Sequence, residues 1–170
     1  MKNIYLVGFM ATGKSAVAGV LSKKLHLKLV DMDAAIEKKE KMPVREIFRV
    51  KGEPYFRGLE KDMIQRLEKQ EGYVVACGGG VFVDAENIER MKKSGTVVCL
   101  TSQPETILRR TSGSAGRPLL NVDNPKKRIE ELLEKRRPFY AQAHYTIDCD
   151  ALSVDDSAQA VMDILKRESS

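Results

Sequence analysis

Five short apolar, β-branched runs punctuate the chain at residues 3–7, 27–30, 73–77, 96–100 and 144–149. Between them apolar residues recur at helical spacing, as Val17, Val20, Leu21 and Leu25 do after the first run. Strand-like runs alternating with helical stretches predict an α/β fold, with a five-stranded parallel sheet whose crossover helices form a three-layer α/β/α arrangement. Ser102-Gln103-Pro104-Glu105 predicts a helix start, with the serine as cap, a proline in the first turn and a glutamate three residues after the cap. Ser153 with Asp156 opens the last helix in the same way, and its buried stripe is expected on Val154, Ala158, Val161, Ile164 and Leu165. With 170 residues, no internal repeat and no low-complexity linker, one domain over 1–170 is expected.

The first strand run leads into Gly8-Phe9-Met10-Ala11-Thr12-Gly13-Lys14-Ser15, the eight-position pattern of a phosphate-binding loop set between a strand and a helix. Gly8 and Gly13 allow backbone angles that side chains forbid, so N–H groups can turn inward around phosphate oxygens at a positive helix terminus. Lys14 is expected to reach the β and γ phosphates of a nucleoside triphosphate, and the Ser15 hydroxyl to ligate Mg²⁺.

Charge and composition narrow the field. The formal net charge of +5 is interleaved with acidic residues through the helical segments, there is no tryptophan, and no basic stripe carries aromatic platforms. The expectation is therefore an anionic small molecule and no nucleic acid. The run Lys126-Lys127-Arg128, with the charges that follow it to Arg137, reads as a solvated helix face. No apolar run approaches the roughly 20 residues of a membrane span and Met1-Lys2-Asn3 carries no signal-peptide pattern, so a cytoplasmic protein without a membrane partner, and a monomer, is expected. Cys77, Cys99 and Cys149 lie far apart in or beside apolar runs and read as reduced structural thiols.

Further candidate chemistry lies at the strand ends. The second run ends in Asp31-Met32-Asp33, at the carboxyl edge where open α/β sheets bind ligands. In an extended segment these two carboxylates share a side, Asp31 for a Mg²⁺ shell and Asp33 for a substrate hydroxyl; either is also a candidate helix cap. Gly78-Gly79-Gly80 after the third run suggests close backbone approach to a ligand. Arg57, Arg117 and Arg136 are suited by their planar forks to carboxylates and phosphates. Small residues from Thr111 to Gly116, leading into Arg117-Pro118, predict a mobile lid over about 111–122.

Taken together, these residues resemble the shikimate kinase family, in the nucleoside-monophosphate-kinase-like branch of phosphate-binding-loop proteins. The resemblance covers nearly the whole chain. It rests on the phosphate loop; Val30-Asp31-Met32-Asp33 with Ile36-Glu37; Ile47-Phe48, then Gly52-Glu53-Pro54-Tyr55-Phe56-Arg57 and Glu60; Gly78-Gly79-Gly80; Arg117-Pro118-Leu119-Leu120; and Arg136 ahead of Pro138-Phe139-Tyr140. It implies a P-loop kinase fold and ATP-dependent phosphorylation of the 3-hydroxyl of shikimate, giving shikimate 3-phosphate and ADP on the way to chorismate and the aromatic amino acids.

In that reading Lys14, Asp33 and Arg117 carry catalysis. Ala11, Thr12, Gly13, Lys14, Ser15 and Ala16 hold ATP together with Arg110, which lies against adenine, and Arg117, which reaches the phosphates from the lid. Asp33, Arg57, Gly78, Gly79, Gly80 and Arg136 hold shikimate, with Arg57 and Arg136 on its carboxylate, inside a helical segment of about 33–62 and its surroundings. Ser15 and Asp31 hold Mg²⁺. A gluconate or nucleoside-monophosphate kinase is the alternative enzyme on the same fold, and a nucleotide-dependent binding module the alternative without phosphotransfer. The arginine pair with Asp33 favours a substrate carrying both a carboxylate and hydroxyls.

Overall fold

Strand β1 (Asn3–Val7) is buried along its whole length because it runs through the middle of the sheet with helices over both faces. The computed structural model describes residues 1–112 and 122–170. On either side of β1 lie β3 (Tyr73–Ala76) and β4 (Gly95–Thr101), with β2 (Lys28–Asp31) and β5 (Tyr145–Asp148) at the edges. All four pairings are parallel, in the order β2-β3-β1-β4-β5, and each strand falls within two residues of the run that predicted it.

The pleat divides the core. Ile4 and Leu6 face the layer of α1 (Lys14–Leu25) and α8 (Val154–Glu168), where they meet Val17, Leu21, Ala158 and Val161. Tyr5 and Val7 face the other layer, built from α4 (Glu53–Leu67), α5 (Ala85–Ser94), α6 (Pro104–Thr111) and α7 (Pro125–Tyr140). Three layers result, as the alternation of elements predicts. Beside them α2 (Met32–Glu40) and α3 (Val44–Lys51) pack on α4 around a small core of Ile36, Ile47 and Phe56, with the Phe48 and Phe56 rings 4.9 Å apart. These three helices run from Met32 to Leu67, past both ends of the 33–62 expected for a helical segment.

The base of α4 is clasped to the central strand. The buried Asn3 amide donates to the carbonyls of Leu67 and Gln70, each at 2.9 Å, and its Oδ1 accepts from the Tyr73 N–H at 3.1 Å. One side chain thus satisfies three backbone groups where α4 hands over to β3.

Three local expectations are corrected. Helix α6 is capped not by Ser102 but at Gln103, whose N–H donates to Asp150 Oδ1 at 3.0 Å from the loop after β5, and the Ser102 hydroxyl is buried without a hydrogen-bond partner. In α8 the Ser153 cap forms, accepting from the Asp156 N–H at 3.0 Å, but Val154 stands in solvent, and the buried stripe begins at Ser157 and Ala158. Thr111 belongs to α6 rather than to a loop, its hydroxyl donating to the Ile107 carbonyl at 2.7 Å. Residues 113–121, and with them Arg117 and most of the expected lid, lie outside the described residues. The three cysteines are buried and unpaired, and burial pushes the Cys99 thiol up to about 12. Among the described residues no helix is long and apolar enough to cross a membrane.

Candidate active site

The loop between β1 and α1 takes its shape from its glycines and its lysine. Gly8 has φ +136°, and a Cβ there would overlap the Leu100 carbonyl oxygen of neighbouring β4, so only glycine fits. Gly13 has φ +91° and leads into α1, which starts at Lys14 without a side-chain cap, leaving its first N–H groups open to a ligand. The buried Lys14 ammonium arches back over the loop, donating to the carbonyls of Phe9 at 2.6 Å and Gly8 at 2.9 Å. Thr12 turns inward and donates to the Phe9 carbonyl at 2.9 Å, so this residue shapes the loop with its side chain and can meet phosphate with its backbone. Ala11, Gly13, Ser15 and Ala16 line the opening. Arg110 reaches the outer rim from α6, its Nη1 donating to the Ala11 carbonyl at 2.9 Å.

At the end of β2 the chain does not stay extended. Asp31 closes the strand and caps α2, its Oδ1 accepting from the Ala34 N–H at 3.2 Å, while Asp33 already lies in the first turn of the helix. The alternation argument for a shared side is therefore wrong, yet both carboxylates reach one cleft because the helix turns there. Asp31 does two things: its second oxygen accepts from the Ser15 hydroxyl at 2.6 Å, joining the loop to the strand edge. A hydroxyl and a carboxylate oxygen side by side form a hard-donor pair of the kind Mg²⁺ takes alongside phosphate oxygens and water. Among the described residues no cluster of three or more His, Cys, Asp or Glu stands in metal-binding array.

The resulting cleft, about 440 Å³, runs from Gly13, Lys14 and Ser15 past Asp31 and Asp33 to Gly79. The glycine run behind it serves the protein's own side chains as much as any ligand. A Cβ on Gly78 would stand 2.6 Å from Glu60 Oε1 and 3.1 Å from Asp33 Oδ1, and one on Gly80 would stand 2.6 Å from the Arg57 guanidinium. Of the three glycines only Gly79 lines the cleft. Its carbonyl accepts from Arg136 Nη1 at 3.2 Å and from the Tyr140 hydroxyl at 2.6 Å. Arg136 is buried with its guanidinium 5.3 Å from the centroid of the Phe9 ring, a seat that favours a planar cation. Arg57 bridges Glu53 at 3.2 Å and Glu60 at 2.8 Å.

Glu60 is a buried carboxyl behind the cleft. It is 1 % exposed, with Oε2 on Arg57 and Oε1 buried without a hydrogen-bond partner among the described residues. Burial pushes its carboxyl from 4.5 up to about 7; Arg57 and Arg136 pull it down, and neighbouring Asp33 adds to the rise. Because the folded value is raised, the fold favours the protonated acid. That stabilisation is present below about pH 4.5 and is lost as pH rises through about 7. Urea unfolding should show the native protein losing on the order of 1–3 kcal/mol more than Glu60→Gln between about pH 5 and 8. An equal or steeper loss in the Gln protein would contradict this.

The family model described as Shikimate kinase matches residues 10–166. The chain belongs to the shikimate kinase family. A shikimate kinase of Persephonella marina is 47% identical over 167 residues, covering 98% of this chain and 99% of its own length. One from Caldanaerobacter subterraneus subsp. tengcongensis is 44% identical over 162 residues, 95% of each chain. Among solved structures, shikimate kinase from Acinetobacter baumannii in complex with shikimate is 37% identical, covers 99% of this chain and 94% of that one, and superposes with a TM-score of 0.94.

As a member of the shikimate kinase family the chain is a phosphotransferase of P-loop kinase fold, and ATP is the donor such a kinase uses. Within this kinase the expected residues Ala11, Gly13, Lys14, Ser15, Ala16, Asp31, Asp33 and Gly79 gather on one cleft, with Thr12 turned inward beneath the loop and Arg57, Gly78, Gly80 and Arg136 directly behind it. Tyr140 and Phe9 join the site without having been singled out for a role. Glu60 stands in the family pattern, and its place three residues after Arg57 on α4 was the available signal of an ion pair.

Proposed function

We propose that the protein transfers the γ-phosphoryl group of ATP to the 3-hydroxyl of shikimate, giving shikimate 3-phosphate and ADP. The observation that carries this reading is the continuity of the cleft: the phosphate loop at one end, Asp33 beside it, and two guanidinium groups behind Gly79 and Gly80. A substrate with a carboxylate on one side and hydroxyls on the other suits that sequence of groups. Arg57 and Arg136 take the carboxylate with paired donors, and Asp33 orients the attacking hydroxyl and accepts its proton. Lys14 neutralises charge on the transferring group, and Arg117 is assigned the same task by the family pattern. Ser15 directly, and Asp31 through water, would hold Mg²⁺, which when bound neutralises charge on the β and γ phosphates.

A coupled assay of ADP formation tests the reading, with shikimate, gluconate and nucleoside monophosphates compared as acceptors. ADP release that does not depend on shikimate would overturn it. Arg136→Lys should raise the shikimate KM by roughly 10- to 100-fold, about 1.5–3 kcal/mol, because the ammonium cannot supply two parallel donors. The KM for ATP should stay put; a change in ATP affinity with normal shikimate affinity would contradict the assignment.

A further inference from the structure

Arg136 and Tyr140 stand one turn apart on the same face of α7, and both end on one atom, the Gly79 carbonyl oxygen. The two bonds are unequal: the phenol sits at 2.6 Å and the guanidinium Nη1 at 3.2 Å. A carbonyl oxygen has two lone pairs, so both are accommodated, but the shorter bond defines where the peptide after Gly79 lies. Both side chains are at least nine-tenths buried, at 8 % exposure for Tyr140 and 7 % for Arg136, so a carbonyl deprived of both donors would be stranded away from water.

A guanidinium that turns to grip a carboxylate with two parallel N–H bonds commits its fork to the ligand, and the bond it can yield in turning is its long one to Gly79. We propose that Tyr140 is a positioning residue: its hydroxyl holds the Gly79 carbonyl so that the Arg136 guanidinium is free to turn to the substrate carboxylate. This rests on the reading of Arg136 as a shikimate contact. The phenol is suited to the task because burial pushes its ionisation up to about 12, against the pull of Arg136, so it keeps its donor proton throughout the working range. Phe9, stacked on the guanidinium, keeps the arginine in place while its fork turns.

The test is Tyr140→Phe, assayed with shikimate and ATP varied separately. The shikimate KM should rise by about 3- to 10-fold, the worth of one hydrogen bond, with kcat within about twofold and the ATP KM unchanged. In an Arg136→Lys background the same substitution should add little, since no fork remains to be released. A site-specific 3-fluorotyrosine, which keeps the hydroxyl and nearly the shape, should hold the native KM. An unchanged shikimate KM in Tyr140→Phe, a loss confined to kcat, an undiminished effect beside Arg136→Lys, or a raised KM with fluorotyrosine would each overturn the proposal. So would a Tyr140→Phe protein that fails to fold, which would make the hydroxyl a requirement of the fold. A native enzyme with no shikimate-dependent ADP formation would remove the functional reading itself, a result distinguishable from all of these.

Discussion

Asp33→Asn should lower kcat by about 10²- to 10⁴-fold while the shikimate KM changes little. The amide keeps the shape of the carboxylate and one oxygen that accepts a hydrogen bond, and loses the negative charge and the ability to take a proton. Asp33 occupies the first turn of α2 and lines the cleft, and its Oδ1 lies 3.1 Å from the position a Cβ on Gly78 would fill, so little space is available for a substitute base. Phosphoryl transfer depends mostly on alignment and charge neutralisation, which places the loss toward the low end of that range if proton removal is late. Steady-state kinetics with both substrates varied measures it. A kcat within about threefold of the native value would remove Asp33 from the proton-transfer role.

The second large effect is on the fold. Gly8→Ala should destabilise the protein by about 3 kcal/mol or more, read from urea or thermal unfolding. Two costs combine: a backbone at φ +136°, which L side chains rarely adopt, and a methyl group driven into the Leu100 carbonyl. That carbonyl belongs to β4, which pairs with β1 along all five of the β1 residues, so relief requires parting central strands of the sheet. A loss under about 1 kcal/mol would show that the loop can slide instead of the sheet yielding.

Much of this was legible in the chain. Strands buried on both faces of a parallel sheet must be apolar throughout, which is why the runs around Tyr5, Val75 and Val98 stood out. The phosphate loop was legible because its chemistry needs particular residues at fixed offsets. What stayed hidden depended on distant groups. The cap of α6 comes from Asp150, 47 residues away, so the local serine signal pointed to the wrong residue. The turn at Asp31 followed from a helix starting at Met32, two residues earlier than an extended reading through Asp33 allowed. Glu60 gave no local sign of its raised pKa, because that arises from burial behind Gly78 and from the nearness of Asp33. Tyr140 looked like an ordinary aromatic in a basic helix, and only the fold brings its hydroxyl to Gly79, 61 residues away.

The clasp at Asn3 gives α4 the mechanics of a lever. The helix is pinned at its Leu67 end to the central strand, by a residue 64 positions earlier, and carries Arg57 near its other end, against α2 and α3. Ten residues of helix separate the two, about 15 Å at 1.5 Å per residue, so a tilt of about 5° about the pinned end carries the guanidinium about 1 Å. The fulcrum therefore lies at the opposite pole of the sheet from the cleft, and a buried amide there sets the resting place of an arginine it never touches.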